Sequence, residues 1–284
     1  MKKPVKITTV IVTYNNQKSI DKCLSSLVFN QNPDTLQNKI IVVDNHSKDQ
    51  TVEFVKQKYA SRVKIMRNNS NRGFASAINQ VIQKEIKGRK PDCFFLLNPD
   101  AWLEKNCLPL LIKEFIERNS SDIISPVIKN QNKKVVFQGG KIKWLNFKAV
   151  HCFSENCNLD YITGASMLLK SDVFSNIGFF DERFFLYYED VDFCRRAKKA
   201  GFKMKIIKKA ITYHNESQSS SSKTKNYYLV KSGALFFYKH SPFLLKPYFW
   251  LIFYLRLLYH SFSGKKEVKK GLIKALKQIQ QQKD

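Results

Sequence analysis

Residues 6–16 read KITTVIVTYNN. Lys6 to Val12 is a β-branched run, the pattern of a buried strand. Thr13-Tyr14-Asn15-Asn16 closes it with turn-forming residues, and a helix is expected from about Gln17 to Phe29. The unit recurs along the chain. Lys39 to Val43 is a second strand ending at Asp44-Asn45; a polar loop, His46 to Asp49, leads to a helix over Thr51 to Tyr59. Val63 to Arg67 is a third strand, Asn68 to Gly73 a loop, and Phe74 to Ile86 a third helix. Cys93 to Leu97 is a fourth strand ending at Asn98-Pro99-Asp100, before a helix from about Leu108 to Arg118 and a strand near Ile123 to Ile128. Strand and helix alternate with short connections, so the fold class is α/β, a parallel sheet covered by helices.

Such sheets bind ligands outside the carboxyl ends of their strands. The polar clusters Thr13 to Asn15, Asp44-Asn45 and Asn98 to Asp100 fall at those ends. A single cluster is explained by the need of any strand end for turn residues; successive ones favour a site. No Gly-x-Gly-x-x-Gly follows the first strand and no Gly-x-x-x-x-Gly-Lys-Ser/Thr occurs, so both common nucleotide fingerprints are absent. In Asn98-Pro99-Asp100 a carboxylate at the end of a buried strand is placed to hold a hard divalent cation. An Asx-type turn accounts for the same residues.

Further on, Val135 to Val150 reads as a hairpin or flap, and Tyr161 to Lys170 as a strand through Gly164-Ala165-Ser166, where small residues let a ligand approach the backbone. A short helix, Ser171 to Ile177, precedes FFLYYEDVDFCRRAKKAG, residues 184–201. A helix starting near Tyr188 puts Glu189, Asp190 and Asp192 in its first turn, where the macrodipole and free amides favour negative charge. Ordinary helix-start acids fit this pattern. So does a carboxylate held by aromatic walls in a partly dry cleft, poised as a general base. Lys203 to Ile207 and Ala210 to Tyr213 are read as short strands ending at His214, and Ser217 to Ser222 as a possible lid.

The chain has 284 residues and a formal net charge of +26, which predicts attraction to an anionic surface or substrate. The six cysteines form no Cys-x-x-Cys pair, several sit in apolar runs, and a reducing cytosol fits them best. His151-Cys152 to Cys157 lacks the second ligand pair of a zinc site. MKKPVKITTVIV is read as a first strand rather than a signal peptide, and no stretch offers the ~20 apolar residues of a spanning helix. After Lys223 the character changes. Tyr227 to His240 is a helix, Phe243 to Phe262 is rich in aromatic residues and leucine, and Lys265 to Gln282 is amphipathic and lysine-rich. That composition suits helices lying in an anionic membrane interface, which is the favoured reading; the alternative is a helical pair packed on the domain or on a dimer partner.

The segments VIVTYNN, IIVVDNHSKDQT, NRGFASAIN, FFLLNPDAWL, YITGASMLLKSDVF, GFFDERFFLYYEDVDFCRRAKKAGFK and ITYHNES, in this order from Ile7 onward, resemble the family 2 inverting glycosyltransferases of GT-A fold. Within that family they resemble the rhamnosyltransferase-like enzymes of bacterial surface polysaccharide synthesis. The resemblance implies a GT-A catalytic domain over residues 1–222, Rossmann-like with a mostly parallel sheet, and a basic amphipathic helical extension over 223–284. It implies that Thr13, Tyr14 and Asn15 line the nucleotide pocket, that Asp44 reads the base or ribose, and that Asn71, Gly73 and Asn79 close over the nucleotide. Asn98-Pro99-Asp100 stands where the family keeps Asp-x-Asp. Asn98 replaces the first acid, which leaves Asp100, with His214, to hold Mg²⁺ or Mn²⁺. Glu189 and Asp190 match the acidic pair, with Asp190 as base.

The implied donor is a dTDP- or UDP-sugar, with rhamnose a possible sugar, and the acceptor a saccharide or lipid-linked saccharide. The implied location is cytoplasmic, peripheral on the inner face of the cell membrane, with contact through 243–284. Two other readings compete. A nucleotidyltransferase normally carries a Gly-rich basic loop after the first strand, which VTYNNQKS lacks. A nucleic-acid-binding module rests on charge alone and leaves Asp100, Glu189 and Asp190 unexplained, so no nucleic-acid partner is expected.

Overall fold

The computed structural model describes residues 3–30, 36–117, 121–154, 157–215 and 222–281. The first half runs β1 (Val5–Thr13), α1 (Ile20–Phe29), β2 (Leu36–Asp44), α2 (Thr51–Tyr59), β3 (Val63–Arg67), α3 (Phe74–Lys87), β4 (Cys93–Leu97), β5 (Ala101–Leu103), α4 (Cys107–Glu117) and β6 (Ile123–Lys129). Then follow β7 (Val135–Phe137), β8 (Gly140–Lys143), β9 (Lys148–His151), β10 (Ser166–Lys170), α5 (Ser171–Ile177), α6 (Glu189–Lys199) and β11 (Met204–His214). Three long helices end the described chain: α7 (Ser222–His240), α8 (Lys246–Phe262) and α9 (Lys266–Gln280).

The large sheet has the order β3-β2-β1-β4-β10-β6-β11-β5, with β7 paired to β6. β1, β2, β3 and β4 are parallel, as the alternating pattern predicts. β10 enters antiparallel between β4 and β6, which makes the sheet mixed. Both faces are covered. On one face Ile7 and Ile11 of β1 pack with Leu24 and Leu27 of α1, Val55 of α2 and Leu111 of α4. On the other, Val10 and Val12 share a core with Ile78 of α3, Phe174 of α5, Phe193 of α6 and Phe236 of α7. Burial on both faces is why β1 reads as a β-branched run rather than as an alternation.

Three local readings are corrected. β5 is a short strand directly after Asn98-Pro99-Asp100, formed because its partner β11 runs antiparallel beside it, pairing Ala101 with His214. β11 is one strand, not two; a bulge between Ile207 and Ile211 interrupts its pairing with β6 and hides the continuity. Cys152 and Cys157 form a disulfide, whereas Cys23, Cys93, Cys107 and Cys194 are free and buried. The Cys152 amide donates to the Gly139 carbonyl (2.7 Å), which carries the β8–β9 pairing on to the first cysteine of the disulfide. Most of the serine-rich segment read as a lid lies outside the described residues.

The C-terminal helices are not alike. The apolar stripe of α9, with Leu272, Ala275 and Ile279, is buried, and Gly271 lets α9 approach α7 so closely that a Cβ there would lie 2.7 Å from the Tyr227 carbonyl oxygen. In α8, Phe249 and Phe253 turn inward, while Leu251, Leu255, Leu258 and Phe262 stand exposed. Among the described residues no helix is long and apolar enough to cross a membrane.

Candidate active site

The strand ends meet in a cleft of about 350 Å³. Its most constrained wall is the start of α6. Tyr187 and Tyr188 both sit in the left-handed region, at φ 65° and 67°, which costs ordinary side chains energy. The tertiary structure holds them there. The Tyr188 hydroxyl accepts from the Ala149 amide (3.3 Å), and its ring packs on Phe236 of α7 with centroids 5.5 Å apart. Only Tyr187 of the pair lines the cleft; Tyr188 turns into the core, so the aromatic wall expected from both is built by Tyr187 with Phe185.

This turn aims Asp190 at the cleft. Its carboxylate accepts from the Gly164 amide (2.9 Å) and from its neighbour Val191 (2.8 Å). Burial nevertheless pushes its pKa up, against the pull of those amides and of His151. Glu189, beside it, is 6% exposed, and its Oε2 has no hydrogen-bond partner among the described residues. Burial first, and then the Asp190 charge, push the Glu189 carboxyl well above its ordinary range. The two acids therefore differ: Asp190 accepts from the Gly164 and Val191 amides, whereas Glu189 Oε2 is left without a partner among the described residues.

Asp192, in the same first turn, is not part of the cleft lining and is wholly buried. Burial opposes its charge, yet its partners hold it below the usual carboxylate range. They are His240 Nε2 (2.7 Å), Arg196 Nε (2.8 Å) and Lys239 Nζ (2.6 Å). This network ties α6 to the end of α7.

Across the cleft, β4 ends at Asn98, and β11 brings His214 beside Asp100. His214 Nε2 lies 3.0 Å from Asp100 Oδ1 and 3.3 Å from Asn98 Nδ2. Among the described residues no cluster of three or more His, Cys, Asp or Glu is present. A carboxylate beside an imidazole is a donor set that suits an ion taking its remaining ligands from phosphate oxygens and water.

The nucleotide end gathers some of the expected residues and not others. Thr13, Tyr14, Asn71, Gly73 and Asn98 line the cleft with Asp100, Glu189, Asp190 and His214. Gly73 has φ +79°, and a Cβ there would fall 2.4 Å from the Phe185 carbonyl oxygen, so only glycine fits. Asn15, Asp44 and Asn79 do not line it. The Asn15 side chain accepts from the Lys48 amide (2.7 Å), so it braces the neighbouring loop. Asp44 is 0% exposed, and its carboxylate accepts from the Ser47 amide at 3.2 Å. Asn79 exchanges hydrogen bonds with the Phe180 backbone and donates to Glu182, fixing α3 to the approach to α6. Asn16 and Asn45 stand in the wall instead, each one residue beyond an expected position, because the intended side chains turn into the turn they cap.

The remaining wall was not read from sequence. It consists of His151 from β9, Phe185 and Leu186, and Lys225 and Leu229 from α7. His151 had no local signal beyond its neighbouring cysteine. Lys225 and Leu229 reach the cleft only because α7 returns across the sheet.

Known proteins are similar to this chain in sequence and in fold. The chain is 21% identical over 277 residues to the N-acetylglucosaminyl-diphospho-decaprenol L-rhamnosyltransferase of Mycobacterium tuberculosis, covering 87% of this chain and 89% of that one. It is 24% identical over 217 residues to the low-salt glycan biosynthesis hexosyltransferase Agl10 of Haloferax volcanii, covering 74% and 67%. The fold superposes on the crystal structure of GalNAc-T7 with UDP, GalNAc and Mn²⁺ at a TM-score of 0.63 and 15% identity, covering 83% of this chain and 48% of that one. This chain thus spans about half the length of that structure. The architecture is GT-A. Residues 8–178 match the family described as Glycosyl transferase family 2, and the chain belongs to that family.

Proposed function

We propose that the protein is an inverting, metal-dependent glycosyltransferase that moves a sugar from a nucleotide-diphosphate donor to a saccharide or lipid-linked acceptor. The observation that carries this reading is the placement of Asp190, with its waiting amides, in the same cleft as the Asp100–His214 pair. The donor nucleotide lies against Thr13, Tyr14, Asn71 and Gly73. Asp100 and His214 would hold Mg²⁺ or Mn²⁺, which when bound would neutralise charge on the diphosphate leaving group. Asp190 accepts the proton of an acceptor hydroxyl as that oxygen attacks the anomeric carbon from the face opposite the leaving group; one displacement inverts the configuration. Tyr187 and Phe185 exclude water from the reacting centre. A dTDP- or UDP-sugar is the expected donor, with rhamnose as one of the sugars to try.

The test is a thermal-shift screen with dTDP-, UDP- and GDP-sugars, with and without Mg²⁺ or Mn²⁺, followed by nucleotide-release assays. One donor class should raise the melting temperature in the presence of the ion. Asp100→Ala should weaken donor binding by about tenfold or more, since it removes the carboxylate of a two-residue site. A shift that is independent of the ion, or equal in Asp100→Ala, would remove the metal assignment.

The extension from residue 223 includes the surface proposed to meet the membrane, and α8 supplies its apolar contact. Leu251, Leu255, Leu258 and Phe262 form a stripe flanked by exposed Lys246, Arg256, Lys265 and Lys266. An apolar stripe with basic flanks suits an anionic lipid surface, and the +26 net charge adds to the attraction. In co-sedimentation with phosphatidylglycerol-containing vesicles, replacing the four stripe residues by serine should lower binding by roughly tenfold or more, with folding intact. Equal binding by the variant would discard the contact.

A further inference from the structure

The reaction leaves a proton on Asp190 at every turnover, and the carboxylate must be restored before the next. The groups facing Asp190 come from three places: Glu189, Tyr188 and Cys194 at α6, Tyr161 in the segment before β10, and His151 on β9. Tyr161 and Cys194 are buried, and burial pushes both up, away from neutral pH. Tyr188 is pushed up by burial as well, and Glu189 is enclosed at 6% exposure. His151 differs from all of them: it is exposed, and it also lines the cleft.

The position of His151 is fixed on several sides. Its ring stands edge-on to Phe137, with centroids 5.0 Å apart at 87°. Its strand is paired with β8, placing His151 opposite Gly140. A Cβ at Gly140 would collide with the Tyr161 ring, at 2.2 Å, so this hairpin and Tyr161 approach as closely as a bare glycine allows. Two residues before His151, the Ala149 amide donates to the Tyr188 hydroxyl, which ties the hairpin to the residue that starts the base-bearing helix. The disulfide begins at the next residue, Cys152. An imidazole is the side chain suited to exchanging protons near neutral pH, and this one lines the same cleft as the base and is open to solvent.

We propose that His151 is the proton outlet of the base: it takes the proton that Asp190 acquires and passes it to solvent. In the transfer step the acceptor O–H bond breaks, its proton goes to the Asp190 carboxylate, and the new C–O bond forms as the bond from the anomeric carbon to the diphosphate breaks. In the reset step the Asp190 O–H bond breaks, the proton joins an imidazole nitrogen of His151, and the imidazolium releases it to water or buffer. His151 acts through Asp190 and needs no contact with the sugar. This proposal rests on the glycosyltransferase reading and adds a residue to it.

The test uses the full chain with dTDP-, UDP- and GDP-sugars and a panel of saccharide acceptors, with acceptor-free samples as background, reading nucleoside diphosphate release across pH and across imidazole concentration. His151→Ala and His151→Gln should each lower kcat by about tenfold, leave KM for the donor unchanged, and regain rate saturably as free imidazole is added. Asp190→Asn should show no such rescue, because it has no proton to release. Wild-type rates in both His151 variants, a loss that imidazole does not restore, or a change confined to KM would each overturn the outlet role. Asp190-dependent turnover together with any of these would leave the glycosyltransferase reading standing. Absence of turnover by the wild type on every donor would remove that reading and the outlet with it.

Discussion

Asp190→Asn should lower kcat by about 10²- to 10⁴-fold while leaving nucleotide-sugar binding near the wild-type value. The amide keeps the shape of the carboxylate and can still face the Gly164 amide, so the loss reports proton acceptance rather than collapse of the turn. The pH profile gives a second check. As the proposed base Asp190 must be ionised, and burial raises its pKa from the ordinary carboxylate value. Activity should therefore be low in acid and rise with pH through a midpoint above that of a free aspartate, and Asp190→Asn should lose this limb. A wild-type profile in the variant, or full activity in acid, would assign the base elsewhere. Isothermal titration with the donor, run beside the kinetics, separates the two kinds of loss.

Asp192→Ala should cost about 3–5 kcal/mol of stability, the largest effect expected from a residue outside the cleft. The substitution leaves Lys239, Arg196 and His240 around an emptied, wholly buried position. Removing one partner of a buried charge network is more damaging than removing all of it, because the remaining charges lose part of the compensation for their lost solvation; Lys239 keeps Asp181, and Arg196 keeps the Ile177 and Phe179 carbonyls. Chemical denaturation at neutral pH should show the loss as a lowered midpoint. Its pH dependence follows from the direction of the shift. The carboxyl is held below its unfolded-state value, so its contribution is present above the unfolded pKa and fades as pH falls through the folded one. The gap between wild type and variant should narrow in acid. A variant within about 1 kcal/mol of wild type at neutral pH would show that the network is not what holds α6 to α7.

The parts of the fold legible in the sequence are those where one local pattern has one structural outcome. The β-branched runs of β1, β2 and β4 are buried on both faces, and their polar ends mark the cleft because a parallel sheet presents those ends together. β5 and the unity of β11 were not legible, since a three-residue strand and a bulge take their form from a partner far along the chain. The site divides in the same way. Asp190, Asp100 and His214 sit at element ends that the topology brings to one cleft. Asp44 and Asn79 also look functional by type, but their side chains are engaged with neighbouring groups of the fold, and a string of residues does not reveal which way a buried side chain points. Lys225 and Leu229 lie on a helix some two hundred residues from β1, and only the packing of that helix makes them part of the wall.

The double duty of α7 has a consequence for how such enzymes can be recombined. One stretch of this helix lines the cleft through Lys225 and Leu229, while Tyr227 and Lys231 meet α9, and the far end clasps Asp192. Cleft wall, the surface proposed to meet the membrane, and support of α6 therefore travel together. A graft that exchanges α8 and α9 at the α7–α8 junction leaves the Lys225–Leu229 wall with its original owner. A graft joined upstream of Ser222 transfers wall and C-terminal helices as a unit, and it keeps α6 in place only if the new α7 brings partners for Asp192. Any change in the α7 wall is then tied to a change in the C-terminal helices, while the opposite end of the cleft, built on β1 and β2, is left as it is.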